Sequence, residues 1–142
     1  MSGIAVVDKP GGWTSHQVVG RARRLLGTRK VGHAGTLDPL ASGVLPILVG
    51  AATRFSDDLT GGPKRYEAVL RLGVRSATDD AQGPLEVIGA PPDAATAAEA
   101  LTSFVGTFEQ RPPAFSARKT GGVVAHRAAR AGKPVEASPR SV

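Results

Sequence analysis

The chain has 142 residues, 41% of them hydrophobic and 21% charged, values that fit one globular domain or part of one rather than a disordered chain. The absence of cysteine excludes disulfides, thiolate metal sites and a cysteine nucleophile, and fits a reducing compartment. A net charge of +6 and a pI near 10.5 point to a polyanionic partner, nucleic acid before others.

Residues 1–10 lack the basic start and the long apolar run of a leader peptide. No stretch approaches membrane-spanning length, so a soluble cytoplasmic protein with no membrane partner is expected. Ile4 to Val7 reads as a buried strand closed by the turn Asp8-Lys9-Pro10-Gly11-Gly12. Thr14 or Ser15 then caps a helix whose apolar face is Val18, Val19, Ala22, Leu25 and Leu26, and Gly27 supplies its stop. Arg21, Arg23 and Arg24, extended by Arg29 and Lys30, form either a solvated helix face or a phosphate-contacting one.

From Gly32 to Pro46 the chain reads as an irregular loop. Gly32, Gly35 and Gly43 reach unusual φ values cheaply, while Pro39 and Pro46 lock theirs. A carboxylate, Asp38, is thereby held on a stiff backbone, although Asp-Pro by itself is an ordinary turn initiator. Val44 to Val49 is apolar at every position, a strand buried on both faces, with Pro46 arguing for an edge or a bulge. Residues 51–59 make a short helix. Tyr66 to Leu72 alternates, with Tyr66, Ala68, Leu70 and Leu72 on one face, and reads as the clearest half-buried strand of the chain, entered by Lys64 and Arg65.

Thr78 to Pro84 is an acidic turn in which Asp79 and Asp80 satisfy local backbone donors rather than a metal. His16, His33 and His126 are too scattered for a zinc site, so no metal is expected. A short strand at Leu85 to Ile88 precedes an alanine-rich packing helix opened by Asp93 or Thr96, carrying Leu101, Phe104 and Val105 and closed by Gly106. Thr107 to Gln110 should be extended. Arg111 to Lys119 combines a rigid Pro-Pro turn with Phe115 and terminal cations, and Ala125 to Ala131 forms a short helix. The polar end, Glu136 to Val142, adds no core element.

Neither a Gly-x-x-x-x-Gly-Lys-Ser/Thr phosphate loop nor a Gly-x-Ser-x-Gly elbow occurs, which sets aside nucleotide hydrolysis and serine-hydrolase chemistry. What remains is a loop aspartate after a histidine, with a basic helix before it and Lys64-Arg65-Tyr66 after it. That arrangement permits a nucleophilic or general-base carboxylate acting on nucleic acid without choosing a reaction.

The run Gly32-His33-Ala34-Gly35-Thr36-Leu37-Asp38-Pro39-Leu40-Ala41-Ser42-Gly43-Val44-Leu45-Pro46 closely resembles the active-site motif of the TruB family of tRNA pseudouridine synthases. Asp8-Lys9-Pro10-x-Gly12-x-Thr14-Ser15, Lys64-Arg65-Tyr66, Thr78-Asp79-Asp80 with Gly83, and Gln110-x-Pro112-Pro113-x-Phe115-Ser116-Ala117-x-Lys119 support it in the same order. The resemblance covers essentially the whole chain. It implies isomerisation of uridine to pseudouridine at position 55 in the TΨC arm of tRNA, by a monomer and without a cofactor.

The fold implied is α+β, a mixed, largely antiparallel sheet with packed helices, the pseudouridine synthase fold. Residues 1–142 would be the amino-terminal portion of the catalytic domain. A carboxy-terminal remainder, holding an arginine that pairs with the catalytic aspartate, and any accessory RNA-binding domain would lie beyond them. Asp38 takes the place of the essential aspartate, whose first act is attack at C1′ or proton abstraction. His33 corresponds to the histidine that enters the space of the extruded base, against the plainer reading of a loop imidazole bonded to backbone. Tyr66 corresponds to the tyrosine that stacks on the target base, a role a ring can combine with core packing. Lys9, Lys64, Arg65 and Lys119 contact phosphate or buttress the loop. Where the family carries a tyrosine this chain has His126. The competing expectation is a non-catalytic RNA-binding or RNA-folding module.

Overall fold

β-branched and aliphatic runs that alternate across a pleat build the sheet that carries the aspartate loop. The computed structural model describes residues 1–76, 78, 80–110, 119–120, 123–124 and 138–142, and the chain divides into two units, Met1–Glu67 and Ala68–Val142. In the first unit Gly3–Lys9 (β1), Val31–His33 (β2) and Gly43–Val49 (β3) form an antiparallel sheet in the order β1-β3-β2. Its register runs from Gly3 opposite Val49 to Lys9 opposite Gly43, and from Val31 opposite Val49 to His33 opposite Ile47.

β3 is the spine. Leu45, Ile47 and Val49 pack on one face with Val31 and with Val18 and Val19 of the helix Ser15–Leu26 (α1), while Leu48 packs on the other with Ala34 and Ala52. An unbroken apolar run is what a strand covered on both faces requires. Pro46 costs the ladder nothing. Its carbonyl accepts the Ala34 amide at 3.0 Å, and in an antiparallel pair the N–H and C=O of a residue face the same side. Its missing N–H therefore lies past the end of β2, where no strand needs it.

β1 forms where expected but is not buried: Ile4 and Val6 are exposed, as is Val44 beside them in the sheet. They point to the face opposite α1, which the described residues do not cover here. α1 is defined at both ends. Thr14 Oγ1 accepts the Gln17 amide at 3.1 Å, Gln17 Oε1 accepts the Thr14 amide at 2.7 Å, and Gly27 closes the helix at φ 60°. Leu25, 68% exposed, and Leu26 do not join the buried face expected of them. The expected helix over 51–59 is a 3₁₀ turn, Gly50–Phe55, followed by Ser56–Thr60 (α2).

Tyr66 to Leu72 is not a strand. Residues 63–71 join no ladder, and Tyr66, Val69, Leu70 and Leu72 are exposed. A strand exists only when a neighbour takes its backbone groups, and among the described residues none lies alongside.

In the second unit Val74–Ser76 (β4) pairs with Leu85–Val87 (β5), Ala94–Thr102 is a helix (α3), Glu109–Gln110 (β6) pairs with Arg140–Ser141 (β9), and Lys119–Thr120 (β7) pairs with Val123–Val124 (β8), every pairing antiparallel. The Asp93 carboxylate caps α3 by accepting the Thr96 amide at 2.8 Å. α3 buries none of its residues, and its stop is Ser103, not Gly106; among the described residues the packing role expected of it is not seen. In the acidic turn Asp80 Oδ1 accepts from Thr78 Oγ1 at 2.6 Å and from the Gln82 amide at 2.9 Å, the local use expected, and no acidic or histidine cluster able to hold a metal occurs among the described residues. Asp79, the turn from Arg111 to Arg118 and the helix expected over 125–131 lie outside the described residues.

Candidate active site

The loop that presents Asp38 is shorter than its motif, because the motif's first residues belong to β2 and its last to β3. Gly35 at φ 86° and Gly43 at φ 122° make the departures from the two strands, conformations that a side chain disfavours. Between them the loop is held on both sides of the aspartate. The Ser15 hydroxyl, at the first turn of α1, accepts the Leu37 amide at 3.0 Å and donates to the Leu37 carbonyl at 3.2 Å. The Gly12 amide donates to the Pro39 carbonyl at 2.7 Å. Leu37 also rests against the α1 face of the core, and the Asp38 carbonyl accepts the Ala41 amide at 3.1 Å, a turn whose second residue is a proline.

The backbone at Asp38 is thus fixed while its side chain is exposed. Among the described residues no hydrogen-bond donor and no cation lies within bonding distance of it. Such a group is free to accept a proton or to approach a carbon centre brought to it.

Lys9 does not reach the surface. It is fully buried, and its ammonium donates to the Trp13 carbonyl at 2.6 Å and the Pro10 carbonyl at 3.1 Å. Of the two roles set out for it, contact with phosphate or support of the loop, this geometry fits support: Lys9 ties the 10–13 turn whose Gly12 holds Pro39. Lysine usually has its charge in water, and here backbone carbonyls replace it.

His33 ends β2, half-buried, with Nδ1 donating to the Gly35 carbonyl at 2.5 Å and its own carbonyl accepting Ser56 Oγ at 3.2 Å. Nε2 is left as the ring's acceptor in the neutral form. The backbone-bonded imidazole set against base displacement is thus present. Lys64 is exposed and donates to the carbonyls of Thr60 and, at 3.0 Å, Gly62, capping the end of α2. Thr60 Oγ1 in turn accepts the Gly35 amide at 3.1 Å. Lys64 therefore reaches the histidine end of the loop through one intermediary.

Arg65 and Tyr66 are exposed beyond it, and no hydrogen bond among the described residues ties either to Asp38. Lys119 opens β7 in the second unit, with its backbone opposite Val124. The structure gathers Asp38, His33, Lys9 and Lys64 around one loop; among the described residues of the first unit no hydrogen bond joins Arg65 or Tyr66 to them.

Two supports go beyond the expected set. Ser15 was legible only as a helix cap; the Thr14-Ser15 pair offers one hydroxyl for the cap and leaves the second for Leu37. Arg23, expected on the outer face of α1, turns back and donates to the Val31 carbonyl at 2.8 Å.

Residues 23–142 match the family described as TruB family pseudouridylate synthase (N terminal domain). The chain is 50% identical over 144 residues to tRNA pseudouridine synthase B of Thermobifida fusca, covering 99% of this chain and 48% of that protein. It is 53% identical over 144 residues to the protein of the same name from Cutibacterium acnes, again covering 99% and 48%. It therefore spans about half the length of the curated relatives it matches. Among solved structures, a chain of the crystal structure of a Cbf5–Nop10–Gar1 complex superposes with a TM-score of 0.56 at 29% identity, covering 82% of this chain and 31% of that one. The chain belongs to the TruB family of pseudouridylate synthases, and the part of the family it matches is the N-terminal domain.

Proposed function

We propose that residues 1–142 form the amino-terminal part of the catalytic domain of an enzyme that isomerises uridine to pseudouridine at position 55 in the TΨC arm of tRNA. Asp38 is the group that engages the nucleoside. The C1′–N1 bond breaks, the base turns, and C5 bonds to C1′. The proton lost from C5 is balanced by the one gained at N1, so no co-reactant or cofactor is needed. The enzyme acts as a monomer.

One observation carries this reading: Asp38 stands exposed on a backbone clamped at both neighbours, by Ser15 and by Gly12. Fixed geometry of this kind is what positions a reacting group. The names of relatives about half identical to the chain supply the reaction class. His33 occupies the space of the extruded base, Tyr66 stacks on the target base, and Lys64, Arg65 and Lys119 meet phosphate. Extruding a base requires groups that stabilise the opened strand.

The test is Asp38→Asn in the longest form of the protein that the gene encodes, with product read on a tRNA that carries uridine at position 55. Product falls to background while tRNA binding persists. Product at the normal rate removes Asp38 from the chemistry. The second reading, an RNA-binding or RNA-folding module, is favoured by the lack of a described cation beside Asp38; it requires binding with no product from the unsubstituted protein.

A further inference from the structure

We propose that Trp13 is a nucleobase-stacking residue of this site, its indole taking the face of a base in the RNA strand presented to Asp38. This rests on the reading of the site as one that receives RNA. The observation is the clamp itself. Gly12 binds Pro39 and Ser15 binds Leu37, so the residues on either side of Asp38 are held by the residues on either side of the pair Trp13-Thr14. Trp13-Thr14 therefore lies opposite Asp38 across two short connections.

Within residues 12–15 three positions are accounted for. Gly12 has no side chain, the Thr14 hydroxyl caps α1 and the Ser15 hydroxyl is committed to Leu37. Trp13 alone has a side chain with no part in the clamp. It is the chain's single tryptophan, and it is 41% exposed. Its backbone is not free to turn inward: the buried Lys9 ammonium holds its carbonyl at 2.6 Å, and the next residue opens a capped helix.

A large aromatic surface kept in water on an immobilised turn, beside a carboxylate that RNA must reach, is a preorganised stacking platform. Few side-chain torsions remain to be fixed when a base settles on it. Base–aromatic stacking is tolerant of sequence and is measured by truncation of the ring.

The experiment uses the longest form of the protein that the gene encodes and an unmodified tRNA transcript. Trp13→Leu and Trp13→Ala raise KM about 5- to 100-fold, the loss expected from one base stack, and leave kcat at saturation within about threefold. Trp13→Phe, which keeps a ring, stays within about threefold of the parent KM. The slope of log affinity against log salt is unchanged in all three, because every phosphate keeps its cation. Tryptophan emission of the parent protein is quenched when tRNA is added.

A Trp13→Leu protein with the parent KM overturns the proposal, as does parent tryptophan emission that tRNA leaves unchanged. If Trp13→Ala fails to fold, Trp13→Leu and Trp13→Phe decide alone. A parent protein that binds tRNA without forming product defeats the enzymatic reading, while quenching and affinity still judge Trp13.

Discussion

Ser15 shows how one side chain can set the position of another that it never touches. Its hydroxyl satisfies both backbone groups of Leu37, and it is itself buried. Ser15→Ala leaves both Leu37 groups without their partner, which costs about 1–3 kcal/mol of stability and releases the residue before Asp38. The expected outcome is a lower denaturant midpoint together with a kcat that falls more than tRNA affinity, measured by urea unfolding and by single-turnover product formation. Asp38→Asn gives the opposite pattern: an exposed side chain with no described partner changes stability by no more than about 0.5 kcal/mol, while product disappears. The glycines and prolines made the loop legible in the sequence, because they report backbone conformation locally. The clamp was not legible, since Ser15 and Leu37 meet only through the packing of α1 on the sheet. The choice between the two roles of Lys9 was not legible either: its charge predicts solvent, and only the fold brings two carbonyls to it.

At the scale of elements, features written in neighbouring residues came through and features that need a distant partner did not. Both caps of α1 and the two-sided burial of β3 follow from local chemistry and an unbroken apolar run. The periodicities at Tyr66–Leu72, in α3 and at Leu25–Leu26 are equally clear, yet a pattern states which face is apolar and not what covers it. The spine role of β3 predicts that Ile47→Ala, which empties a site between the sheet and α1, destabilises the first unit by about 2–5 kcal/mol, read as a shift of the unfolding midpoint. α3 offers a pH test. The Thr96 amide holds the Asp93 carboxyl below its ordinary value of 3.8, so the cap stabilises α3 above that value and is lost as pH falls through the depressed folded one. Amide protection at the start of α3 therefore drops below about pH 4. In Asp93→Asn, which caps without titrating, the drop disappears; persistence of the drop would assign it to another carboxylate.

Across the whole molecule the net charge of +6 is unevenly spread. No Asp or Glu occurs between Lys9 and Leu37, a stretch that carries Arg21, Arg23, Arg24, Arg29 and Lys30. The structure divides these cations. Arg23 is turned into the fold by its bond to Val31, while Arg21, Arg24, Arg29 and Lys30 are exposed and take part in no ion pair among the described residues. α1 starts beside the Asp38 loop and its 12 residues span about 18 Å. The exposed cations at its far end are therefore suited to phosphates several nucleotides away from the reacting base. Replacing Arg24, Arg29 and Lys30 together by Gln lowers the net charge from +6 to +3 and touches neither clamp nor core. If these cations meet RNA, the slope of log affinity against log salt becomes shallower by roughly 0.7–0.9 for each phosphate no longer neutralised, with kcat at saturation unchanged. A slope equal to the parent's makes the cluster a solvated helix face and leaves the phosphates to Lys64 and Arg65, whose replacement by Gln should then carry the salt effect.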